Sequence, residues 1–152
     1  MRQQLSDALA WGDAHARFEQ AVRDFPPRLR GRRVRGLPYS GWEILEHMRR
    51  TQHDILDFSR NAKYKALTWP ADYWPGSPEP PDAKAWDRSV AAFRRDRRAL
   101  QRMASDATLN LARKIPHGDG QTYAREMLLV IDHNAYHLGE LIMLRRLLGV
   151  WR

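Results

Sequence analysis

The sequence predicts an all-α fold, a four-helix bundle in up-down-down-up order with a long crossover between helices 2 and 3. Apolar residues recur every three or four positions along four segments, each about twenty residues long, which is the period of amphipathic helices. Connections rich in proline and glycine separate these segments, and none of the segments alternates like a strand. The long second connection places helices 2 and 3 parallel, so that helix 2 runs antiparallel to helix 4.

Length and composition limit the class of protein. The 152 residues predict a single domain over 1–152, long enough to bury a core, and 43% hydrophobic with 29% charged residues is an ordinary globular balance. The absence of cysteine excludes disulfides, thiolate ligands and a cysteine nucleophile. No membrane-spanning apolar run and no signal-peptide pattern occur, so a cytoplasmic location is expected.

The first helix is predicted over residues 5–25. Its apolar positions step by three and four, which gives one continuous amphipathic face. These positions are Leu5, Ala8, Trp11, His15, Phe18, Val22 and Phe25. Pro26 and Pro27 are expected to end the helix.

The second helix is predicted to begin after Ser40 and to end near Asn61. Ser40 is a good N-cap, and Glu43 three residues later completes a capping box. Residues 63–81 follow, rich in proline and aromatic residues and without a helical period. About twenty irregular residues within a compact domain indicate a functional lid or a long crossover.

The third helix is predicted to be capped by Asp82 and the fourth to run from Gln121 or Thr122 to about Leu148. Residues 106–120 connect them and end in strong turn punctuation. The inner face of the third helix is marked by Trp86, Val90, Phe93, Arg97, Leu100, Met103 and Ala104.

A pair of histidines in the fourth helix predicts a metal site. His133 and His137 are four residues apart, so their imidazoles lie on one helix face and are able to reach one ion. A catalytic divalent site usually has three protein ligands and an open position. A third ligand is therefore expected elsewhere in the chain.

Position along the bundle selects His47 as that third ligand. His47 lies roughly 10 Å into helix 2 and His137 roughly 16 Å from the end of helix 4, and those two ends coincide if the helices are antiparallel. His53 follows His47 by six residues, about 600° of rotation around the helix, so its side chain points well away from the face of His47. His117 precedes helix 4 and lies at the far end of the bundle, so neither histidine is expected to be a ligand. His15 falls at a similar height to His47, where it is expected to line the pocket or to support a ligand from outside the ion's own contacts.

Several neighbours are candidates for supporting roles. Glu43, Thr51 and Glu140 lie one turn from a predicted ligand, where each is able to orient an imidazole by a hydrogen bond. A polar side chain that faces solvent, or the helix cap in the case of Glu43, explains each of them equally well. Glu19 is a candidate general base, and Trp86 is expected to stand at the height of the ion. Three nitrogen ligands suit zinc or nickel better than magnesium or calcium.

Four motifs carry a resemblance to a known family. Trp42–His47 and Asp132–Gly139 resemble the DinB/YfiT-like superfamily, and Asp57–Arg60 and Ile115–Thr122 resemble one subgroup of it. The similarity covers nearly the whole chain. It implies an up-down-down-up bundle that holds one divalent ion.

The resemblance also implies a ligand set and a range of activities. The ligands would be His47, His133 and His137, the ion nickel or zinc, and the assembly a homodimer. Characterised relatives include bacillithiol-dependent S-transferases, a mycothiol-dependent isomerase and metal-dependent hydrolases. The expected function is therefore a metal-dependent transferase of the thiol S-transferase type, with a small-molecule substrate such as a low-molecular-weight thiol. A metal-dependent hydrolase, or a non-enzymatic metal- or small-ligand-binding protein, is the alternative.

A net charge of +8 raises a third hypothesis, nucleic-acid binding. The arginines are spread along the chain, mixed with carboxylates or placed in loops, and no nucleic-acid-binding motif accompanies them. A solvated, salt-bridged surface is the preferred interpretation, and no specific nucleic acid is expected as a partner.

Overall fold

Every regular element of the computed structural model is helical over the residues it describes, which are 1–10 and 12–151. The predicted all-α class is confirmed. The elements are α1 (Arg2–Ala8), α2 (Phe18–Val22), a short 3₁₀ helix (Pro27–Leu29), α3 (Gly41–Arg60), α4 (Ala85–Ser105) and α5 (Tyr123–Leu147).

The prediction of one continuous first helix is wrong. Residues 2–8 and 18–22 are helical, and a bent segment separates them. Gly12 lies in this segment, and the side chain of Arg17 occupies the space that a Cβ at Gly12 would need. Glycine also weakens a helix interior by about 1 kcal/mol relative to alanine. Trp11, one position of the predicted pattern, lies outside the described residues.

Two of the three long helices, α3 and α5, begin at a side-chain cap, and α4 begins within a few residues of its predicted start. The capping box of α3 is confirmed, since Ser40 Oγ accepts a hydrogen bond from Glu43 N and Glu43 Oε2 accepts one from Ser40 N. Thr122 caps α5 with one hydrogen bond, which its Oγ1 accepts from Arg125 N. Asp82 is not the cap of α4, because Lys84 holds that position and the Asp82 side chain binds Lys84 N and Arg88 instead.

The two central helices, α3 and α4, run parallel. Ser89 Oγ donates to Glu46 Oε2 at 2.7 Å, and Gln52 Nε2 donates to the Phe93 carbonyl at 2.8 Å. Positions therefore advance together along both helices. The connection between them, residues 61–84, crosses the length of the bundle as predicted.

Helix α5 and the N-terminal elements run the opposite way. Asn134 Nδ2 of α5 donates to Gln52 Oε1 of α3, while His117, which precedes α5, binds the Phe58 carbonyl near the end of α3. Ser6 contacts Gln101 near the end of α4. The order is therefore up-down-down-up, and it brings the start of α3 beside the second half of α5.

Two apolar clusters fill the bundle. The first holds sixteen buried residues around α2, the first halves of α3 and α4, and the end of α5, and its largest side chains include Trp86, Phe25 and Phe93. The second lies at the other end of the bundle and is centred on Leu56, Leu100 and Met127. Within the described residues, no helix combines the length and the apolar character that crossing a membrane requires.

Candidate metal centre

Three histidines converge between α3 and α5. His47 comes from the second turn of α3, and His133 and His137 come from one face of α5. Their ring centroids lie 4.5–4.9 Å apart, and one nitrogen atom of each ring lies within 4.8 Å of the other two. The antiparallel packing of α3 on α5 produces this convergence, as the spacing along the two helices predicts.

His47 is fixed by the connection that crosses above it. Its Nδ1 lies 3.1 Å from the Tyr73 carbonyl oxygen, and its ring lies flat on the Trp74 indole with centroids 3.9 Å apart and planes 3° from parallel. Only 2% of His47 is exposed. Because a carbonyl only accepts hydrogen bonds, Nδ1 carries the proton and Nε2 keeps its lone pair.

His137 is oriented in the same way by a different partner. Its Nδ1 lies 2.6 Å from Glu140 Oε2, three residues further along α5. The carboxylate accepts the Nδ1 proton, which leaves His137 Nε2 free as a donor atom for a metal. Hydrogen bonds of this kind, from a ligating histidine to a carboxylate or carbonyl, are typical of metal centres.

The remaining contact is between His133 and His47. His133 Nε2 lies 3.1 Å from His47 Nε2. With the His47 proton on Nδ1, the two atoms form a hydrogen bond only if His133 carries its own proton on Nε2. A cation between them replaces that arrangement and satisfies both lone pairs at once.

Burial keeps the imidazoles neutral. Burial, with a smaller contribution from the neighbouring histidines, lowers the pKa of His47 to about 4 and the pKa of His133 to about 3. At neutral pH both rings are therefore unprotonated and able to donate a lone pair. This is the state that a metal ligand needs, because a protonated imidazole has no free nitrogen.

The donor set fits a zinc-type ion. Zinc-to-histidine bonds are about 2.0–2.1 Å long, so the donor nitrogens of a tetrahedral site lie roughly 3.3–3.5 Å apart. One nitrogen atom of each ring already lies within 4.8 Å of the other two, which is close to that spacing. The three histidines are therefore able to hold one metal ion and leave part of its coordination sphere free.

Aromatic side chains border the free side of the site. Trp69 lies edge-on to His47 with centroids 6.5 Å apart, and Tyr136 lies edge-on to His137 at 4.9 Å. Trp69 is 68% exposed and Tyr136 is 66% exposed, so both present apolar surface to solvent beside the buried imidazoles. The connection between α3 and α4, which the sequence indicates as a lid or a crossover, thus contacts His47 through Trp69 and Trp74.

Glu19 and His15 lie apart from the three histidines. Glu19 of α2 binds the guanidinium groups of Arg94 and Arg97 on α4. Burial alone would raise the pKa of Glu19, but the hydrogen bonds from both arginines lower it below 4.5, which opposes a role as general base. His15 is exposed and lines a small cavity of about 70 Å³ against Arg97 and Asn134.

Three more predicted neighbours make no hydrogen bond or ring contact with a histidine in the described part of the chain. The Glu43 carboxylate is occupied by Ser40 and Arg33 in the cap of α3. Thr51 Oγ1 is buried without a hydrogen-bond partner among the described residues. Trp86 packs in the first core cluster, with Phe25 and not with the histidines. Glu140 alone of the predicted supporting residues contacts a histidine.

The remaining histidines bind elsewhere, as their helix positions predict. His53 Nδ1 lies 2.9 Å from Asp96 Oδ2, on the side of α3 that faces α4. His117 Nε2 lies 2.7 Å from the Phe58 carbonyl at the opposite end of the bundle.

Sequence reasoning missed two groups that support the site. The Tyr73 carbonyl and the Arg50–Asp54 stretch of α3 hold the crossing segment on His47. A backbone carbonyl leaves no signal in a sequence. Arg50 and Asp54 are charged residues one and two turns after His47, but their partners lie 10 to 24 residues further along the chain, in an irregular segment.

Comparison with known proteins adds one match. Residues 10–141, which include all three histidines, match the family model described as the DinB superfamily. No curated protein and no solved structure matches the chain. The match covers most of the chain, from just after α1 to the last third of α5, and it contains the whole candidate metal centre.

Proposed function

The chain belongs to the DinB superfamily, and on that premise we propose that it is a metal-dependent transferase of the thiol S-transferase type. Its single divalent ion would be held by His47, His133 and His137. The observation that supports this proposal best is the convergence of three imidazole nitrogens within 4.8 Å, with two of the rings oriented by a hydrogen bond at the other ring nitrogen.

The ligand set favours zinc or nickel as the ion. Imidazole nitrogen suits these borderline metals, whereas magnesium and calcium require oxygen donors. Neutral imidazoles leave the full 2+ charge on the ion, which favours an anionic ligand in the free position. A bound ion of this kind supplies Lewis acidity that lowers the pKa of a water or thiol bound to it.

The protein residues contribute orientation and a surface for the substrate. The Tyr73 carbonyl and Glu140 carboxylate hold the Nδ1 protons of His47 and His137, so that both Nε2 atoms point to one place. Trp74 shields His47 from water on one face. The exposed ring of Trp69 offers apolar surface to the carbon skeleton of a small-molecule substrate.

Activity profiling tests the proposal. Protein loaded with Zn²⁺ or Ni²⁺ is incubated with low-molecular-weight thiols and an electrophile that carries a leaving group. We expect a new carbon–sulfur bond, release of the leaving group as an anion and loss of the thiol proton to solvent, all detected by mass spectrometry. His137→Ala should abolish the reaction, and His117→Ala, at the far end of the bundle, should retain it.

Other outcomes of the same assay favour the alternatives. Hydrolysis of ester or amide substrates without thiol consumption would replace the transferase assignment with a metal-dependent hydrolase. Stoichiometric metal with no turnover of any substrate would favour a metal- or ligand-binding protein. Thiol transfer that is equally fast in His137→Ala would contradict catalysis at this centre.

We also propose that the chain forms a homodimer through the outer face of α5. Leu128, Tyr136, Met143 and Leu147 are exposed large apolar residues, and their spacing places them on one side of that helix. Gly139 lies at the middle of this face, where an added Cβ would meet no atom within 4 Å, so a second helix is able to approach closely. Exposed apolar surface of this extent is typical of interaction sites.

Charge supports a second copy as the partner. Asp132 and Arg146 are exposed, each seven residues from Gly139 on the same face. A two-fold axis through Gly139 pairs the helices antiparallel and brings Asp132 opposite the partner subunit's Arg146.

Sedimentation velocity tests this interface. Wild-type protein should be dimeric at micromolar concentration, and Asp132→Arg and Arg146→Asp should each weaken the dimer. The combined variant restores opposite charges across the axis and should dimerise like wild type. A monomeric wild type, or a combined variant no stronger than either single one, would contradict the interface.

A further inference from the structure

We propose that Asp54 and Arg50 are positioning residues of the metal centre, which act on His47 through the segment that crosses above it. This inference rests on the proposed function, because it assigns a role toward the ion that His47 would bind. The segment concerned, residues 64–74, is called the crossing strap below. Both residues lie on α3 downstream of His47, at intervals of three and four that place all three on one helix face.

Asp54 holds the crossing strap at two points. Its Oδ1 accepts a hydrogen bond from the Tyr64 hydroxyl at 2.8 Å, and its Oδ2 accepts one from the Tyr73 hydroxyl at 2.7 Å. Burial and the bonds to this carboxylate raise the pKa of Tyr64 to about 12 and that of Tyr73 further, so both hydroxyls remain donors. One carboxylate thus fixes both ends of a nine-residue interval of irregular chain.

The same tyrosine reaches His47 through its backbone. The Tyr73 carbonyl accepts the Nδ1 proton of His47 at 3.1 Å, while the Tyr73 hydroxyl is held by Asp54. Side chain and carbonyl of one residue therefore connect Asp54 to the histidine. If the hydroxyl is released, the carbonyl loses its fixed position and His47 loses the bond that keeps Nε2 unprotonated.

Arg50 fixes the neighbouring residues of the strap. Its Nη1 donates to the carbonyls of Asp72, at 3.1 Å, and Trp74, at 2.9 Å, on either side of Tyr73. Its Nε donates to Glu46, a buried carboxylate that directs the guanidinium toward the strap. The Trp74 ring is thereby held in its stack on His47.

The two residues together restrict both the proton position and the plane of the His47 ring. The Tyr39 ring also stacks on Trp74, with centroids 4.0 Å apart, and this second contact helps to hold the indole in place. The bundle core does not require these contacts, because Tyr64, Tyr73 and Trp74 belong to neither apolar cluster. The geometry therefore serves the histidine and not the stability of the helices.

Zinc affinity tests this role directly. Competition with a chromophoric chelator measures the Kd for Zn²⁺ of wild type, Asp54→Ala and Tyr73→Phe, the last of which removes only the hydroxyl. Loss of an outer partner typically weakens metal binding about 10- to 100-fold, and we expect that change in both variants with unchanged helical circular dichroism. The double variant should be no weaker than the weaker single variant, because both changes break the same hydrogen bond.

A matched control and a metal-free readout complete the test. Asp57→Ala lies one turn further along α3, where its carboxylate binds Asn61, and should retain wild-type affinity. Nitrogen-15 spectra of labelled imidazoles, recorded without metal, should place the His47 proton on Nδ1 in wild type and redistribute it in Asp54→Ala.

The outcomes separate this inference from the proposed function. Wild-type affinity and an unchanged His47 tautomer in Asp54→Ala would overturn the positioning role while leaving the metal centre intact. Equal weakening by Asp57→Ala would overturn it as well. A wild-type protein that binds no Zn²⁺ would refute the proposed function, and the metal-free spectra would still decide whether Asp54 sets the His47 proton.

Discussion

His133 Nε2 lies 3.1 Å from His47 Nε2, across the contact between two antiparallel helices. His47 is buried and His133 is half-buried, and His47 already uses its other nitrogen to bind a backbone carbonyl. Burying several imidazoles costs free energy unless each polar atom finds a partner. One cation shared with His137 would provide that partner for all three rings. The packing of α3 on α5 would then also create the metal site.

Glu140 should strengthen metal binding through His137. Glu140→Ala removes the acceptor of the His137 Nδ1 proton, and we expect Zn²⁺ to bind about 10- to 100-fold more weakly. Glu140→Gln keeps an acceptor oxygen and should lose less. Calorimetric titration of the metal-free variants measures the effect.

The control for Glu140 is a carboxylate at the far end of the bundle. Asp119 is exposed in the turn before α5, and Asp119→Ala should bind Zn²⁺ like wild type. Equal affinities for Glu140→Ala and wild type would show that the His137–Glu140 hydrogen bond does not support the ion.

Glu19 should stabilise the fold and contribute nothing to catalysis. Its carboxylate joins α2 to α4 through Arg94 and Arg97, and Glu19→Gln should lower the free energy of unfolding at pH 7 by about 0.5–1 kcal/mol, since the pair is partly exposed. The pKa of Glu19 is lower in the folded than in the unfolded chain. This stabilisation is therefore present above pH 4.5 and is lost as the pH falls through the folded pKa.

Urea denaturation at pH 7 and pH 3 measures that difference. The gap between Glu19→Gln and wild type should be smaller at pH 3, and metal content and turnover should be unchanged at pH 7. If Glu19→Gln instead lost most of its turnover with unchanged stability, Glu19 would be the general base.

Removal of the metal should leave the bundle folded. The two apolar clusters are built from residues outside the three histidines, and they extend along the full length of α3, α4 and α5. Burial of this apolar surface supplies most of the folding free energy. After chelation, far-ultraviolet circular dichroism should retain its helical signal, with a lower midpoint of thermal unfolding because the ligand no longer stabilises the native state. Complete loss of helical signal would identify the ion as structural.

The sequence was sufficient for the helices whose signals are local. Ser40 with Glu43 and Thr122 are side-chain caps, and the helices begin one residue after each. The two-helix origin of the metal centre also followed from the sequence, because rise per residue and an antiparallel arrangement place His47 at the height of His137. These predictions depend on helix geometry alone.

Features that depend on tertiary contacts were not predictable. The periodic pattern across residues 5–25 continues through Gly12 and predicts one helix, whereas the chain bends there and Arg17 folds back against the glycine. The position of Trp86 along its helix predicts that it stands at the height of the ion, whereas its side chain is buried in the core. Position along a helix fixes height, and the tilt and rotation of the neighbouring helix decide which surface a side chain meets.

Metal content of single histidine variants tests the central claim most directly. Elemental analysis of purified protein, refolded or exchanged in the presence of equimolar Zn²⁺ or Ni²⁺, should give about one ion per chain for wild type, His53→Ala and His117→Ala. His47→Ala, His133→Ala and His137→Ala should each lose stoichiometric uptake, because two imidazoles hold a divalent ion too weakly to survive buffer exchange. Undiminished uptake by His47→Ala would contradict the account, since α3 would then contribute no ligand to the ion.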